Sequence, residues 1–230
     1  MWTKELYKEF ISNLFNLRNE KYKNFSQKLI MNSKEMIGVN IPTLRKIAKK
    51  ISTTDLESFL KYYQGKYFEE TLVYGLILGY LKDKNMLKKY LISYSKEITD
   101  WSLCDTPATN MKLIGKNQKE FFPYIKKLLL SKKEFPIRFG LILLLSQYLN
   151  DDYINFILDT CINLKSDSYY VNMAISWLLC ECYIKYQNKT DQFISSEYLD
   201  KFVLNKTISK ISDSYRVSLI NKENLKKRRI

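Results

Sequence analysis

The chain has 230 residues, with 38 Lys+Arg against 24 Asp+Glu for a formal net charge of +14, and it has no histidine. The missing imidazole excludes Ser-His-Asp and Cys-His catalysis and any His metal ligand. Six glycines and four prolines are too few for the turns of a sandwich, a propeller or a doubly wound sheet, so the composition predicts helices joined by short connections.

The apolar spacing is helical nearly throughout. Leu6, Phe10, Leu14 and Leu17 step by three or four, and a second helix is expected from about Lys21 to Asn32. Gly38-Val39-Asn40-Ile41-Pro42 breaks the pattern. Pro42 then sits early in a helix carrying Leu44, Ile47, Ala48 and Ile51, a favoured place for proline. Ser52-Thr53-Thr54-Asp55 reads as a cap before Leu56, Phe59 and Leu60. Phe68 to Leu81 is strongly apolar, and Gly75 and Gly79, four apart on it, allow a neighbouring helix to approach closely. Asp83 opens a helix that runs through Tyr94. Further helices are expected over Phe121–Leu130, Phe135–Leu149, Tyr153–Leu164 (started by Asp151), Tyr169–Tyr186 and Ser196–Ile211, followed by a short basic end. The run Leu141–Leu145 makes its helix apolar nearly all round, hence buried. Helix pairs recur every ~35–45 residues, the period of α-solenoid repeats. No linker or low-complexity block interrupts them, so the expectation is one domain over 1–230 with a basic C-terminal tail at 221–230.

The charge favours polyanions, nucleic acid first and an acidic membrane surface second. It is uneven: residues 1–50 hold 11 basic and 4 acidic side chains, whereas 151–230 hold 12 and 10, with the tail Lys226-Lys227-Arg228-Arg229 among them. No stretch reaches the ~18–20 apolar residues of a membrane span, and Met1-Trp2-Thr3-Lys4-Glu5 lacks the apolar run of a signal peptide. Cys104, Cys161, Cys180 and Cys182 are scattered and read as reduced thiols of a bacterial cytosol. Cys180 and Cys182 point about 200° apart on a helix and cannot share a metal. No metal and no cofactor are expected.

Three constellations remain. Trp101 and Asp105 share one face of a helix as i and i+4. They are either a functional pair or a buried Trp beside an Asp that caps a helix opened by Thr106-Pro107. Arg138, in Glu134-Phe135-Pro136-Ile137-Arg138-Phe139, lies one turn into a buried helix and must find an anion: phosphate, Asp105 or Glu134. Tyr170, Met173, Ala174 and Trp177 form a stripe that spacing alone reads as core.

With these residues the chain resembles the DNA alkylation repair family of HEAT-like-repeat DNA glycosylases, the AlkD-like proteins, over roughly residues 7–220. The resemblance includes Gly38-Val-Asn-Ile-Pro-Thr-Leu-Arg45, the Trp101/Asp105 pair, the Phe135-x-x-Arg138 helix and the helix from Tyr169-Tyr170 to Trp177. It also includes Asn205-Lys206 through Ser214-Tyr215-Arg216-Val217-Ser218. It implies an all-α, right-handed superhelix of HEAT-like helix pairs that binds double-stranded DNA on a basic concave face. Active members excise cationic N3- and N7-alkylpurines. By the same resemblance Asp105 is the catalytic carboxylate, Trp101 and Trp177 are the cleft tryptophans and Arg138 is the backbone arginine. Arg45, Lys46 and Arg216 join it as DNA-binding cations, and a monomer is expected. One departure stands out: where active members place a lesion-contacting aromatic on an N-terminal helix, this chain has Leu29 or Phe25, and no tyrosine. Two other functions stay open: DNA binding without excision, on distorted or branched DNA, and a helical scaffold for acidic protein surfaces.

Overall fold

Most helices begin where a side chain can satisfy their first amides. The computed structural model describes residues 1–30 and 34–230 and divides into two compact units, Met1–Leu128 and Leu129–Ile230. In the first unit Thr3 caps α1 (Lys4–Asn16), Asn19 caps α2 (Glu20–Leu29) and Asn40 caps α3 (Ile41–Ile51). Asp55 caps α4 (Leu56–Tyr62), and Asp83 caps α6 (Lys84–Glu97). Each of these side chains accepts a backbone N–H two or three residues on. In α5 (Phe68–Tyr80), Glu70 reaches back instead and accepts the amide of Tyr67 at 3.2 Å. The unit continues with α7 (Trp101–Asn110), α8 (Lys112–Lys116) and α9 (Gln118–Leu129). The end expected for the second helix, Asn32, lies outside the described residues, and α2 ends at Leu29.

The middle of this unit is α5, buried from Phe68 to Leu78, with α3 and α7 packed against it. Gly75 and Gly79 make that approach possible. A Cβ on Gly75 would collide with the Tyr94 ring and Pro107, and one on Gly79 with the Asn110 side chain. Two adjacent buried carboxylates at the start of α5 hold the preceding loops. Glu69 accepts the amides of Ile37 (2.9 Å), Gly38 (2.7 Å) and Val39 (3.1 Å). Glu70 accepts those of Gln64 and Lys66, both at 2.8 Å, together with the Tyr7 hydroxyl. Gly38 sits at φ +107°, and a Cβ there would strike Lys23 and the Asn19 carbonyl, so only glycine fits this turn. Leu6 and Leu17, expected in the core of α1, are 46% and 48% exposed; the buried positions are Tyr7, Phe10 and Leu14.

The second unit holds α10 (Glu134–Leu143), α11 (Ile154–Asn163), α12 (Tyr169–Lys185), α13 (Gln187–Thr190), α14 (Lys201–Asp213) and α15 (Leu219–Lys226). Here α12 is central, with α10 and α14 packed on it. The helix expected to run to Leu149 turns into a π-helical segment at Leu144–Tyr148, where the Ser146 hydroxyl donates to the Ile142 carbonyl at 2.7 Å. Hydroxyl back-bonding of this kind bends helices. Asp151 does not start α11. Asn150 organises that turn, its Oδ1 accepting the Asp152 amide at 3.1 Å. Residues 196–200 precede α14 rather than belong to it, because Asp200 is its cap and accepts the Val203 amide at 2.9 Å.

The basic end is tied down. Arg228 donates to the Asp191 carboxylate and carbonyl at 2.8 Å each, Arg229 to Ser209 Oγ at 3.0 Å, and Ile230 exchanges bonds with the Asn205 amide group. No β-strand occurs among the described residues, and no helix among them is long and apolar enough to cross a membrane.

Candidate functional site

In the first unit the candidate residues lie at the start of α7. Asp100 caps this helix, accepting the amides of Ser102 (2.8 Å) and Leu103 (3.0 Å). No helix starts at Thr106-Pro107, so the cap that the sequence left open for Asp105 does not exist. The helix runs through Thr106-Pro107 without a break, and Asp105 sits inside it, half-buried. Pro107 lacks the amide that would have bonded to the Leu103 carbonyl four residues back, and the Tyr94 hydroxyl donates to that carbonyl instead, at 2.5 Å. Trp101, the first residue of α7, is also half-buried and stands one turn before Asp105. Its indole Nε1 donates to the Leu29 carbonyl at 3.2 Å, so the end of α2 lies against the tryptophan. On α2, Leu29 and Phe25 are four residues apart, share one face and are 53% and 61% exposed.

The cations of this unit expected to bind DNA lie on α3. Leu44, Ala48 and Ile51 bury one face, leaving Lys46, Lys49 and Lys50 exposed and Arg45 half-buried. The helix contains no acidic residue. Its start is set by the Asn40 cap, with Pro42 in the first turn and the Glu69-held loop before it. The expected cations Arg45 and Lys46 thus stand on a helix fixed to the core at its N-terminal end.

In the second unit Arg138 is only 6% exposed. Its guanidinium donates to the Tyr170 carbonyl at 2.7 Å and lies 5.9 Å from the Tyr170 ring centroid. The amide of Tyr170 in turn donates to Glu134 Oε1 at 3.1 Å. Ser168, the residue before α12, makes no side-chain cap bond; a carboxylate from α10 serves the helix start in its place. Glu134 and Arg138, one turn apart on α10, therefore hold both peptide groups of Tyr170. The stripe read as core is only partly buried: Ala174 is inside, while Tyr170, Met173 and Trp177 are half-buried. Trp177 lies on the open side of α12. One turn further on, Glu181 binds Arg216 through two bonds of 2.7 and 2.9 Å. These bonds raise the pKa of the guanidinium above its usual value. Arg216, expected as a DNA contact, is thus oriented by a bidentate carboxylate on the Trp177 helix.

Spacing offers no sign of Glu134, Glu69 or Glu181, because each acts on a residue more than thirty positions away. The cysteines are buried; burial pushes the Cys180 thiol up to about 11 and the Cys182 thiol up to about 12. No group of three His, Cys, Asp or Glu side chains among the described residues is arranged to hold a metal ion.

The model of the family described as DNA alkylation repair enzyme matches residues 10–211. No curated protein and no solved structure matches the chain. The matched span crosses both units and contains Trp101, Asp105, Arg138 and Trp177, with Arg45 and Lys46. The chain belongs to the DNA alkylation repair enzyme family.

Proposed function

We propose that the protein is a metal-free DNA glycosylase that hydrolyses the N-glycosidic bond of cationic N3- and N7-alkylpurines in duplex DNA. The observation that carries this reading is Asp105 one turn after Trp101 on α7, half-buried, with helix capping assigned to Asp100. A purine alkylated at N3 or N7 already bears a positive charge and leaves without a general acid, so the chain needs no histidine. As the bond breaks, the sugar becomes an oxocarbenium-like cation; a carboxylate at Asp105 stabilises that charge and orients the attacking water. The indole faces of Trp101 and Trp177 add cation–π attraction of ~0.5–2 kcal/mol each. Arg138 offers a planar, permanently charged fork for a backbone phosphate. The cations of α3 supply sequence-independent attraction to the duplex, and Arg216, held by Glu181, offers its remaining N–H groups to a backbone phosphate. Phe25, one turn before the residue bonded to Trp101, is the exposed aromatic that this chain offers on that helix.

The same reading takes the helices as HEAT-like pairs in a right-handed superhelix. Its support is the stacking of alternate helices within each unit: α3, α5 and α7 in the first, α10, α12 and α14 in the second. A second reading, DNA binding without excision, draws on the phenylalanine and leucine where active members carry their lesion-contacting residue.

Base release separates the two. The protein is incubated with methylated duplex DNA, and free 3-methyladenine and 7-methylguanine are measured. Release is expected, and Asp105→Asn lowers it strongly while duplex affinity is nearly unchanged. No release at high protein concentration would sink the glycosylase reading. An Asp105→Asn effect no larger than that of a surface control would remove Asp105 from the chemistry.

A further inference from the structure

A cation-lined cavity in the first unit contains none of the residues discussed above as site residues. It has a volume of about 240 Å³ and opens between the first two turns of α1 and the segment that follows α4. Lys4 and Lys8 line it from α1, and Lys61 from the end of α4. All three ammonium groups are on exposed residues. None has a carboxylate within salt-bridge distance among the described residues.

The walls are aromatic and fixed. Tyr7 is committed by its hydroxyl to the buried Glu70, and burial together with that bond raises its pKa far above the usual phenol value. Tyr63 is committed to Thr71 Oγ1 at 2.9 Å and Glu97 Oε2 at 3.2 Å. Both therefore present ring surface rather than hydroxyl to the cavity. Tyr62 completes the wall, with Lys61 Nζ 5.8 Å from its ring centroid. Gln64 lines the mouth, and its amide is held by Glu70. The Glu70 charge behind the wall is satisfied by the Tyr7 hydroxyl and the amides of Gln64, Lys66 and Tyr67, so it does not neutralise the lysines from within a salt bridge.

We propose that this cavity binds one phosphate-bearing nucleotide unit, with the phosphate among Lys4, Lys8 and Lys61 and the base or sugar against the tyrosine rings. Three ammonium groups around one opening call for an anion with several acceptor oxygens. The aromatic wall adds stacking surface that every base can use. A volume of about 240 Å³ suits a phosphate with one adjoining ring, the rest of the nucleotide lying at the mouth, rather than a large cofactor. The inference is independent of base excision and needs no catalytic step.

The test is calorimetric titration of the full chain with 5′-dAMP, deoxyadenosine and inorganic phosphate at low salt. Binding of dAMP is expected, with deoxyadenosine far weaker. Lys8→Gln/Lys61→Gln is expected to weaken dAMP at least tenfold, whereas Lys126→Gln/Lys127→Gln, exposed on α9, leaves it unchanged. Tyr62→Leu should weaken dAMP severalfold and leave inorganic phosphate unaffected. The substituted lysines are exposed, and unchanged circular dichroism confirms the fold. Two sources share this chemistry, a DNA strand and a free nucleotide. For a strand, the Lys8→Gln/Lys61→Gln variant loses ~0.7 of salt slope per phosphate released from a single-stranded oligonucleotide. An unchanged slope with lost dAMP binding assigns the cavity to a free nucleotide. Absence of dAMP binding, equal binding by the double variant, or capture of a poly-glutamate peptide without dAMP overturns the proposal. Base release from methylated DNA is measured separately, so failure here leaves the glycosylase reading standing, and the reverse.

Discussion

Replacing Glu69 with glutamine changes one buried atom, yet it tests why the loop before α3 adopts its shape. Glu69 Oε1 takes two amides, from Gly38 at 2.7 Å and Val39 at 3.1 Å; Oε2 takes one, from Ile37 at 2.9 Å. All of this is out of solvent: Glu69, Ile37 and Val39 are buried. A glutamine can keep the pair on its carbonyl oxygen, but it then sets an NH₂ group against the Ile37 amide. One hydrogen bond to a charged group is lost, about 1.5–3 kcal/mol, and one buried donor is left unsatisfied, about 1–3 kcal/mol. The expected cost is therefore about 3 kcal/mol for Glu69→Gln, and more for Glu69→Ala, which strands all three amides. Urea unfolding followed by tryptophan fluorescence and circular dichroism reads this as a lower midpoint at unchanged slope. Because the loop sets the start of α3, duplex affinity is expected to fall as well, since Arg45 and Lys46 lose their fixed base. A Glu69→Gln protein within about 0.5 kcal/mol of the wild type, the scatter of ordinary surface substitutions, would refute this account of the loop.

Other substitutions test the packing and the second unit. Gly75→Ala forces a methyl group into the Tyr94 ring and Pro107, which should cost about 1–3 kcal/mol by overpacking; a neutral result in urea unfolding would mean that α5 and α7 are not in tight contact. Arg138→Ala removes the charged donor to the Tyr170 carbonyl, so it should lower stability by about 1.5–3 kcal/mol and also flatten the salt dependence of duplex binding. Unchanged affinity at both low and high salt would remove Arg138 from the DNA interface. For the cysteines, burial raises Cys180 to about 11 and Cys182 to about 12. The folded state therefore holds their protons longer than the unfolded chain does, and this contribution to stability is present below the unfolded thiol pKa and lost as pH rises from about 9 toward 12. Native protein at pH 8 should label slowly with a thiol reagent, with all four cysteines reacting in guanidinium; rapid stoichiometric labelling of the native protein would contradict their burial.

Helix positions were legible because the information is local. Asn40 before Ile41-Pro42, Asp55 before Leu56 and Asp83 before Lys84 are capping signals within a few residues of the amides they satisfy. Gly75 and Gly79 signalled a close helix contact by their four-residue spacing, and α7 occupies that face. The misread boundaries come from competing local bonds. Asn150, rather than Asp151, organises the turn before α11. Asp200 caps α14 several residues later than the apolar pattern suggests. Leu6 and Leu17 fit the apolar stripe of α1, yet burial there follows Tyr7, Phe10 and Leu14, with the Tyr7 and Phe10 rings against Phe59 and the Tyr7 hydroxyl on Glu70. A 3.6-residue period marks a face of a helix, but the neighbour available to cover it is decided elsewhere in the chain.

That distinction also governs the candidate site. The spacing of Trp101 and Asp105 placed both on one face, but it allowed Asp105 to be a cap. What removes that cap is the continuity of α7 through Thr106-Pro107, with Asp100 capping its true start at the Ser102 and Leu103 amides. Arg138 raised the opposite problem: its chemistry demanded a partner, and sequence offered only anions. Among its partners is the backbone carbonyl of Tyr170, with Glu134 holding the adjacent amide. This pairing spans more than thirty residues and has no periodic signature. It gives α10 a structural hold on the helix that bears Trp177. An Arg138 variant must therefore be judged by two readouts, because loss of DNA binding alone would not distinguish a missing phosphate contact from a displaced α12. Arg138→Lys resolves this: it keeps the charge and loses the fork. If the guanidinium chiefly anchors Tyr170, the lysine variant should melt lower and bind DNA poorly; if it chiefly holds phosphate, DNA binding should weaken with the melting temperature nearly unchanged.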